Sequence, residues 1–148
     1  MSVSSRKSAT GKVYTVIESF SGPGGLGLGL QDAGFDVRCA FDIDEFAVKT
    51  YNRNHGPIGH VLDASKTTGK QLLAFGKLKG RLDLFSGGPP CQGFSKQKRG
   101  AHLGDDRNKL VLEYARLVNE IRPRCFIMEN VAMLGQKRGK DFIESAKE

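Results

Sequence analysis

Residues 13–34 constrain the fold more tightly than any other stretch. Residues 13–20 are apolar and β-branched and read as a strand. That strand runs into Ser21-Gly22-Pro23-Gly24-Gly25-Leu26-Gly27-Leu28-Gly29-Leu30, which carries five glycines. Glycine takes positive φ readily and lets another group come close to the main chain. A short helix is expected next, and Gly34 suits its end. Strand, glycine-rich turn and helix bring backbone N–H groups and a helix N-terminus to one point. That geometry suits a nucleotide-like ligand.

The chain continues the same alternation. Residues 35–42 read as a second strand, and residues 45–54 as a helix with Phe46, Ala47 and Tyr51 available for its buried face. Residues 60–62 form a short third strand ending at Asp63, and residues 67–78 a weakly amphipathic helix. Leu82-Asp83-Leu84-Phe85 reads as a buried fourth strand. Residues 92–106 are polar and read as a mobile loop, with Asp106 placed to cap the next helix. In that helix Leu110, Val111, Tyr114, Leu117, Val118 and Ile121 fall on one face. Pro123 ends it, and Cys125-Phe126-Ile127-Met128 is the fifth strand, leading to Glu129-Asn130-Val131. A last helix is expected near Lys140. Such alternation predicts an α/β domain with a mainly parallel sheet and helices on both faces.

Two strand ends carry the candidate chemistry. The fourth strand ends in Gly87-Gly88-Pro89-Pro90-Cys91-Gln92-Gly93-Phe94-Ser95. Two prolines fix φ and remove two backbone donors, so the turn holds one side chain, a thiol, in one place. A lone cysteine is otherwise most often a small buried hydrophobe. The second strand ends in Asp42-Ile43-Asp44, with Asp42 lying 20 residues beyond Gly22. A carboxylate at that distance reaches a ribose diol. Glycine turn plus distal acid fits two cofactor classes, a nicotinamide dinucleotide and S-adenosylmethionine.

Pro89-Pro90-Cys91-Gln92 after a strand resembles the nucleophile motif of the cytosine carbon-5 DNA methyltransferases. Phe20-Ser21-Gly22-Pro23-Gly24-Gly25 resembles the F-x-G-x-G-G pattern of the same family. The likeness covers about residues 13–135, with the motifs in family order. It implies the class I methyltransferase Rossmann-like fold, S-adenosylmethionine as cofactor and double-stranded DNA as partner. By that likeness Phe20 packs on the adenine ring, and Gly22, Gly24 and Gly25 approach the methionine portion. Asp42 matches the ribose ligand, although many members carry glutamate there. Ile43 matches the apolar neighbour of adenine, and Asp63 the acceptor for its amino group. Pro90 and Leu110 match further pocket positions. Leu110 equally suits a helix core, and Asp63 a solvated cap at a strand end.

The resemblance also implies a mechanism. Carbon 5 of cytosine is a poor nucleophile, and a thiolate added to carbon 6 makes it enamine-like. Cys91 is the implied thiolate and Glu129 the implied acid near ring nitrogen 3, expected to be kept protonated by burial. Asn130 is implied to hold the cysteine turn, with Pro90 and Gln92 in support. The target base must leave the duplex to be reached. The loop 92–106 matches the segment that closes over it, where Ser95, Lys96, Lys98 and Arg99 are placed to meet DNA.

Composition narrows the setting. The chain has 148 residues, 39% hydrophobic and 26% charged, with a net charge of +7. A basic balance favours polyanion partners. No apolar run approaches the roughly 18 residues of a membrane span. Residues 1–12 read as a flexible basic arm and residues 13–148 as the cofactor-binding catalytic domain, expected in the cytoplasm. Cys39, Cys91 and Cys125 form no C-x-x-C pair, and Cys39 and Cys125 are expected in the core. His55, His60 and His102 share no ligand spacing, so no metal is expected. Family members continue with an arginine-bearing motif, a target-recognition region and a final helix. The expected fold is therefore incomplete at its C-terminal end, and a C-terminal half or complementary subunit is the expected partner. The alternatives are a tRNA methyltransferase of the same family, a non-catalytic cofactor- or DNA-binding protein, and a nicotinamide oxidoreductase.

Overall fold

The computed structural model describes residues 11–90 and 109–130. Its elements are β1 (Thr15–Ser19), α1 (Gly25–Asp32), β2 (Asp36–Asp42), α2 (Glu45–His55), β3 (Gly59–Val61), α3 (Gly69–Phe75), β4 (Leu84–Gly87), α4 (Lys109–Ile121) and β5 (Cys125–Met128). The five strands form one sheet in the order β3-β2-β1-β4-β5, and every neighbouring pair is parallel. The chain therefore builds outward from β1 to β3, returns to the far side of β1, and builds outward again. β1 and β4 flank the point where the strand order reverses. Ligands of open α/β sheets bind at that point, beyond the carboxyl ends of the strands.

Alternate side chains of a strand point to opposite faces, and an irregularity in the β1–β2 pairing, where Arg38 is extra, resets the alternation between Val37 and Cys39. On one face Ile17, Cys39, Phe41 and Phe85 pack with Leu72 of α3 and with Tyr114, Leu117 and Ile121 of α4. On the other, Val16, Val37 and Leu84 pack with Leu30 of α1. Both faces are covered by helices, as the alternation predicts. The apolar face read from the sequence of α4 is the buried one, with Val111, Tyr114, Leu117 and Ile121 inward.

Local chemistry sets the element ends. The Asp44 carboxylate accepts from the N–H groups of Phe46 and Ala47 and caps α2. Thr68 and Gln71 form a reciprocal capping box, so α3 starts at Gly69 rather than at Thr67. It stops at Phe75 rather than Leu78, because Gly76 closes it and Lys77 turns to φ 50°.

Two core expectations are corrected. On α2 Phe46 is 76% exposed, and Val48 is buried with Tyr51 instead. Cys39 is fully buried, but Cys125 is exposed. Among the described residues β5 is the last strand on its side, and Phe126 and Ile127 are 57% and 45% exposed. An apolar four-residue run reads the same whether both of its faces are covered or not. Among the described residues no helix is long and apolar enough to cross a membrane. Most of the expected arm, the loop 92–106, the Asp106 cap and the helix near Lys140 lie outside the described residues.

Candidate functional site

A cavity of about 240 Å³ opens beyond the carboxyl ends of the strands. Phe20 follows β1, Asp42 and Ile43 end β2, Asp63 follows β3, Pro90 follows β4, and Leu110 lies in the first turn of α4. These six, separated by up to 90 residues in sequence, line the one cavity together with Phe41, Leu62, Ala64 and Gly88. The last four were not singled out by sequence. Phe41, Leu62 and Ala64 each adjoin a residue that was, and Gly88 stands two before Pro90, so proximity to a motif is the signal that could have found them.

The wall is mostly apolar, and Phe20 gives it shape. Its backbone stands at φ 51°, a left-handed conformation that costs a bulky residue about 1–2 kcal/mol. The next N–H, of Ser21, donates to the Phe41 carbonyl at 3.1 Å and pins the turn in place. The Phe20 and Phe41 rings then meet at 6.1 Å between centroids, tilted by 46°. Strain of this kind gathers where a turn must present a side chain or a backbone to a ligand.

Asp42 is partly engaged already. Its Oδ2 accepts from the Gly22 N–H at 2.8 Å, and its Oδ1 from the Asp44 N–H at 3.0 Å. The carboxylate thus ties the glycine turn to the end of β2. Each oxygen keeps a further acceptor position, since an ionised carboxylate offers about four. Gly22, at φ 52°, and Gly25 both face open space: a Cβ on either would meet no atom within 4 Å.

Asp63 has two roles in the structure. It lines the cavity, and it caps its own turn, accepting from the Ser65 N–H at 3.0 Å and the Ser65 hydroxyl at 2.7 Å. Those bonds hold its carboxyl below the usual range.

On the β4–β5 side the Glu129 N–H donates to the Gly87 carbonyl at 2.9 Å, extending the ladder one residue past β5. The Glu129 carboxyl lies over Gly88, where an added Cβ would sit 3.1 Å from its Oε2. Glu129 is exposed, where burial was expected. The Asn130 side-chain amide donates to the Pro89 carbonyl at 2.9 Å. Pro89 is fully buried, and Pro90 lies on the cavity rim immediately before Cys91. Cys91, Gln92, Ser95, Lys96, Lys98 and Arg99 lie outside the described residues.

Comparison with known proteins gives a consistent result. The family model for C-5 cytosine-specific DNA methylase matches residues 14–148. The Type II methyltransferase M.PspPI of Psychrobacter sp. is 37% identical over 85% of this chain and 29% of its own length. The Type II methyltransferase M.AquIA of Picosynechococcus sp. is 38% identical over 84% of this chain and 52% of its own. The solved Dnmt2 methyltransferase of S. pombe superposes with a TM-score of 0.67 at 26% identity, over 90% of this chain and 41% of that one. The chain thus spans less than a third of the first relative and about half of the second.

Proposed function

The chain belongs to the C-5 cytosine-specific DNA methylase family, and from that premise we propose that it forms the cofactor-binding and nucleophile-bearing part of a DNA (cytosine-5-)-methyltransferase. The observation that carries the reading is the single cavity that gathers Phe20, Asp42, Ile43, Asp63, Pro90 and Leu110 beside the Gly88–Glu129 contact. Its residues fit S-adenosylmethionine. Phe20, Ile43 and Leu110 offer apolar surface to a purine, and Asp42 keeps acceptor positions for a ribose diol. Asp63 is an acceptor for the purine amino group. Gly22, Gly24 and Gly25 let the methionine end approach the main chain. The cofactor supplies an electrophilic methyl group on its sulfonium.

The chain's own residues do the rest. The Cys91 thiolate adds to carbon 6 of a flipped cytosine, forming a carbon–sulfur bond and moving electron density to carbon 5 and nitrogen 3. Glu129 hydrogen-bonds nitrogen 3 and neutralises the charge that develops there. The bound cofactor would supply the methyl group to carbon 5 and leave as its neutral thioether. Loss of its proton to a base then expels the thiolate and restores the ring. Asn130, through the Pro89 carbonyl, fixes the turn that leads into Cys91. Ser95, Lys96, Lys98 and Arg99 are the proposed DNA contacts. A region or subunit that recognises the target sequence is the proposed partner, and the exposed β5 supports that reading.

The test uses duplex DNA carrying 5-fluorocytosine, with S-adenosylmethionine and the complementary region supplied. Fluorine blocks the final elimination, so a covalent adduct should accumulate on Cys91, and Cys91→Ser should form none. An adduct mapped to Cys39 or Cys125 would overturn the assignment.

A further inference from the structure

Glu18 is a charged side chain that the proposed chemistry leaves unused. It stands on β1, 1% exposed, between Ala40 of β2 and Ser86 of β4. Its Oε2 accepts a 2.8 Å hydrogen bond from the Tyr51 hydroxyl of α2, and the Gly27 N–H of α1 donates to the same carboxyl. Its Oε1 has no protein partner. The packing leaves no slack: a Cβ on Gly27 would collide with Oε2 and lie 2.6 Å from the Tyr51 hydroxyl oxygen. The Tyr51 ring packs on His55 with centroids 4.4 Å apart, and His55 Nδ1 lies 2.8 Å from the Gln31 amide oxygen. Gly24 caps α1 at φ 104°, and a Cβ there would collide with His55 Nε2. Carboxyl, tyrosine and histidine thus form one column, and the glycine turn and the start of α1 rest on it.

A buried carboxyl with one oxygen unpaired costs stability, and an apolar side chain would fill the same space without that cost. What the carboxyl adds is direction, because its acceptor ties α1 and α2 to β1 in one geometry. We infer that Glu18 is a positioning residue for the cofactor: through Gly27 and Tyr51 it sets the start of α1 and so the course of the glycine turn, residues 21–25, that joins Phe20 at the cavity to α1. The inference rests on the reading of the cavity as an S-adenosylmethionine site.

The ionised carboxyl accepts both bonds most strongly. Burial pushes its pKa from 4.5 up to about 6, so the tie tightens as pH rises through that value. Tyr51 faces it from α2, with His55 behind the tyrosine ring, and Cys39 acts on Tyr51 from β2. Burial pushes both the phenol and the thiol upward, away from this range. From α1 the Gly27 N–H faces it, and on β4 its strand neighbour is Ser86.

The experiment titrates S-adenosylmethionine into the 148-residue chain, Glu18→Gln and Tyr51→Phe by calorimetry between about pH 5 and pH 8. Backbone amide exchange is followed in parallel without ligand. The unaltered chain should bind several-fold more tightly above pH 6 than below it. Glu18→Gln should bind about ten-fold more weakly at pH 7.5, the loss of a charged hydrogen bond, with no inflection near pH 6. Tyr51→Phe should weaken binding but keep an inflection. Amides of residues 22–27 should exchange faster in Glu18→Gln, while those of β4 and α4 keep their protection. Matching pH profiles in the unaltered chain and Glu18→Gln would overturn the inference, and so would a loss of protection spread evenly over the sheet. Should the unaltered chain bind no S-adenosylmethionine at any pH, the cofactor reading falls. The exchange pattern of residues 22–27 then decides by itself whether Glu18 sets the turn.

Discussion

Asp42 and Glu129 stand on opposite sides of the sheet centre, and their surroundings give them different tasks. Asp42 braces the glycine turn through Gly22 and edges the cavity, so Asp42→Ala should weaken S-adenosylmethionine binding by the equivalent of about 1.5–3 kcal/mol. Glu129 lies over Gly88 and outside the cavity lining, so Glu129→Gln should slow single-turnover methyl transfer more than it weakens binding. Equal losses of affinity in both variants would undo the division. Glu18 predicts a pH signature of the fold itself. Its folded pKa lies above its ordinary value, so its contribution is fully present below about pH 4.5 and lost as pH rises through about 6. The loss is on the order of 2 kcal/mol. Urea denaturation at pH 4.5 and pH 7.5 should show this fall in the unaltered chain and not in Glu18→Gln; parallel curves would contradict it. Asp42 was legible in sequence because a strand end and a glycine turn bracket it at a fixed spacing. The Glu18–Tyr51 pair was not, since 33 residues separate its members and only the packing of α2 on β1 brings them together.

Elements with a strong period were read correctly, and those without one were read loosely. α4 repeats its apolar face over three turns, and that face is buried. α3 has a weak period, so its ends were decided by Thr68 and Gly76, which the pattern of apolar residues does not weigh. β5 has no alternation to tell a covered face from an open one, and Cys125 was misplaced for that reason. What holds β5 is its ladder with β4 and the Tyr114 hydroxyl, 3.1 Å from the Phe85 carbonyl and 2.9 Å from that of Ile127. Tyr114→Phe keeps the ring packing and removes this bridge. It should cost about 1–2 kcal/mol and raise exchange at β5 amides before those of β1. Unchanged exchange at β5 in the variant would mean that the ladder alone is sufficient.

The whole chain carries a net charge of +7, and the proposed function gives it DNA as a partner. Binding of duplex DNA by the 148-residue chain alone should be weak and electrostatic, with affinity falling steeply as salt is raised. Filter binding between about 50 and 200 mM salt checks this, and affinity insensitive to salt would refute it. Sequence-specific methylation should appear when a recognition region is supplied, and tritiated methyl transfer to DNA and to tRNA would identify the substrate. The order β3-β2-β1-β4-β5 also has a consequence in time. During synthesis β1, β2 and β3 can pair as they emerge, but one side of β1 waits for Leu84. At about 5–20 residues per second that wait lasts several seconds. The central strand of the finished sheet is thus a temporary edge, open to other chains while it waits. Pro90 and Leu110 arrive later still, so a nascent chain cannot close its cavity early. Ligand binding would report that the last strands have docked, and a cell rich in the ligand would favour the chains that finished.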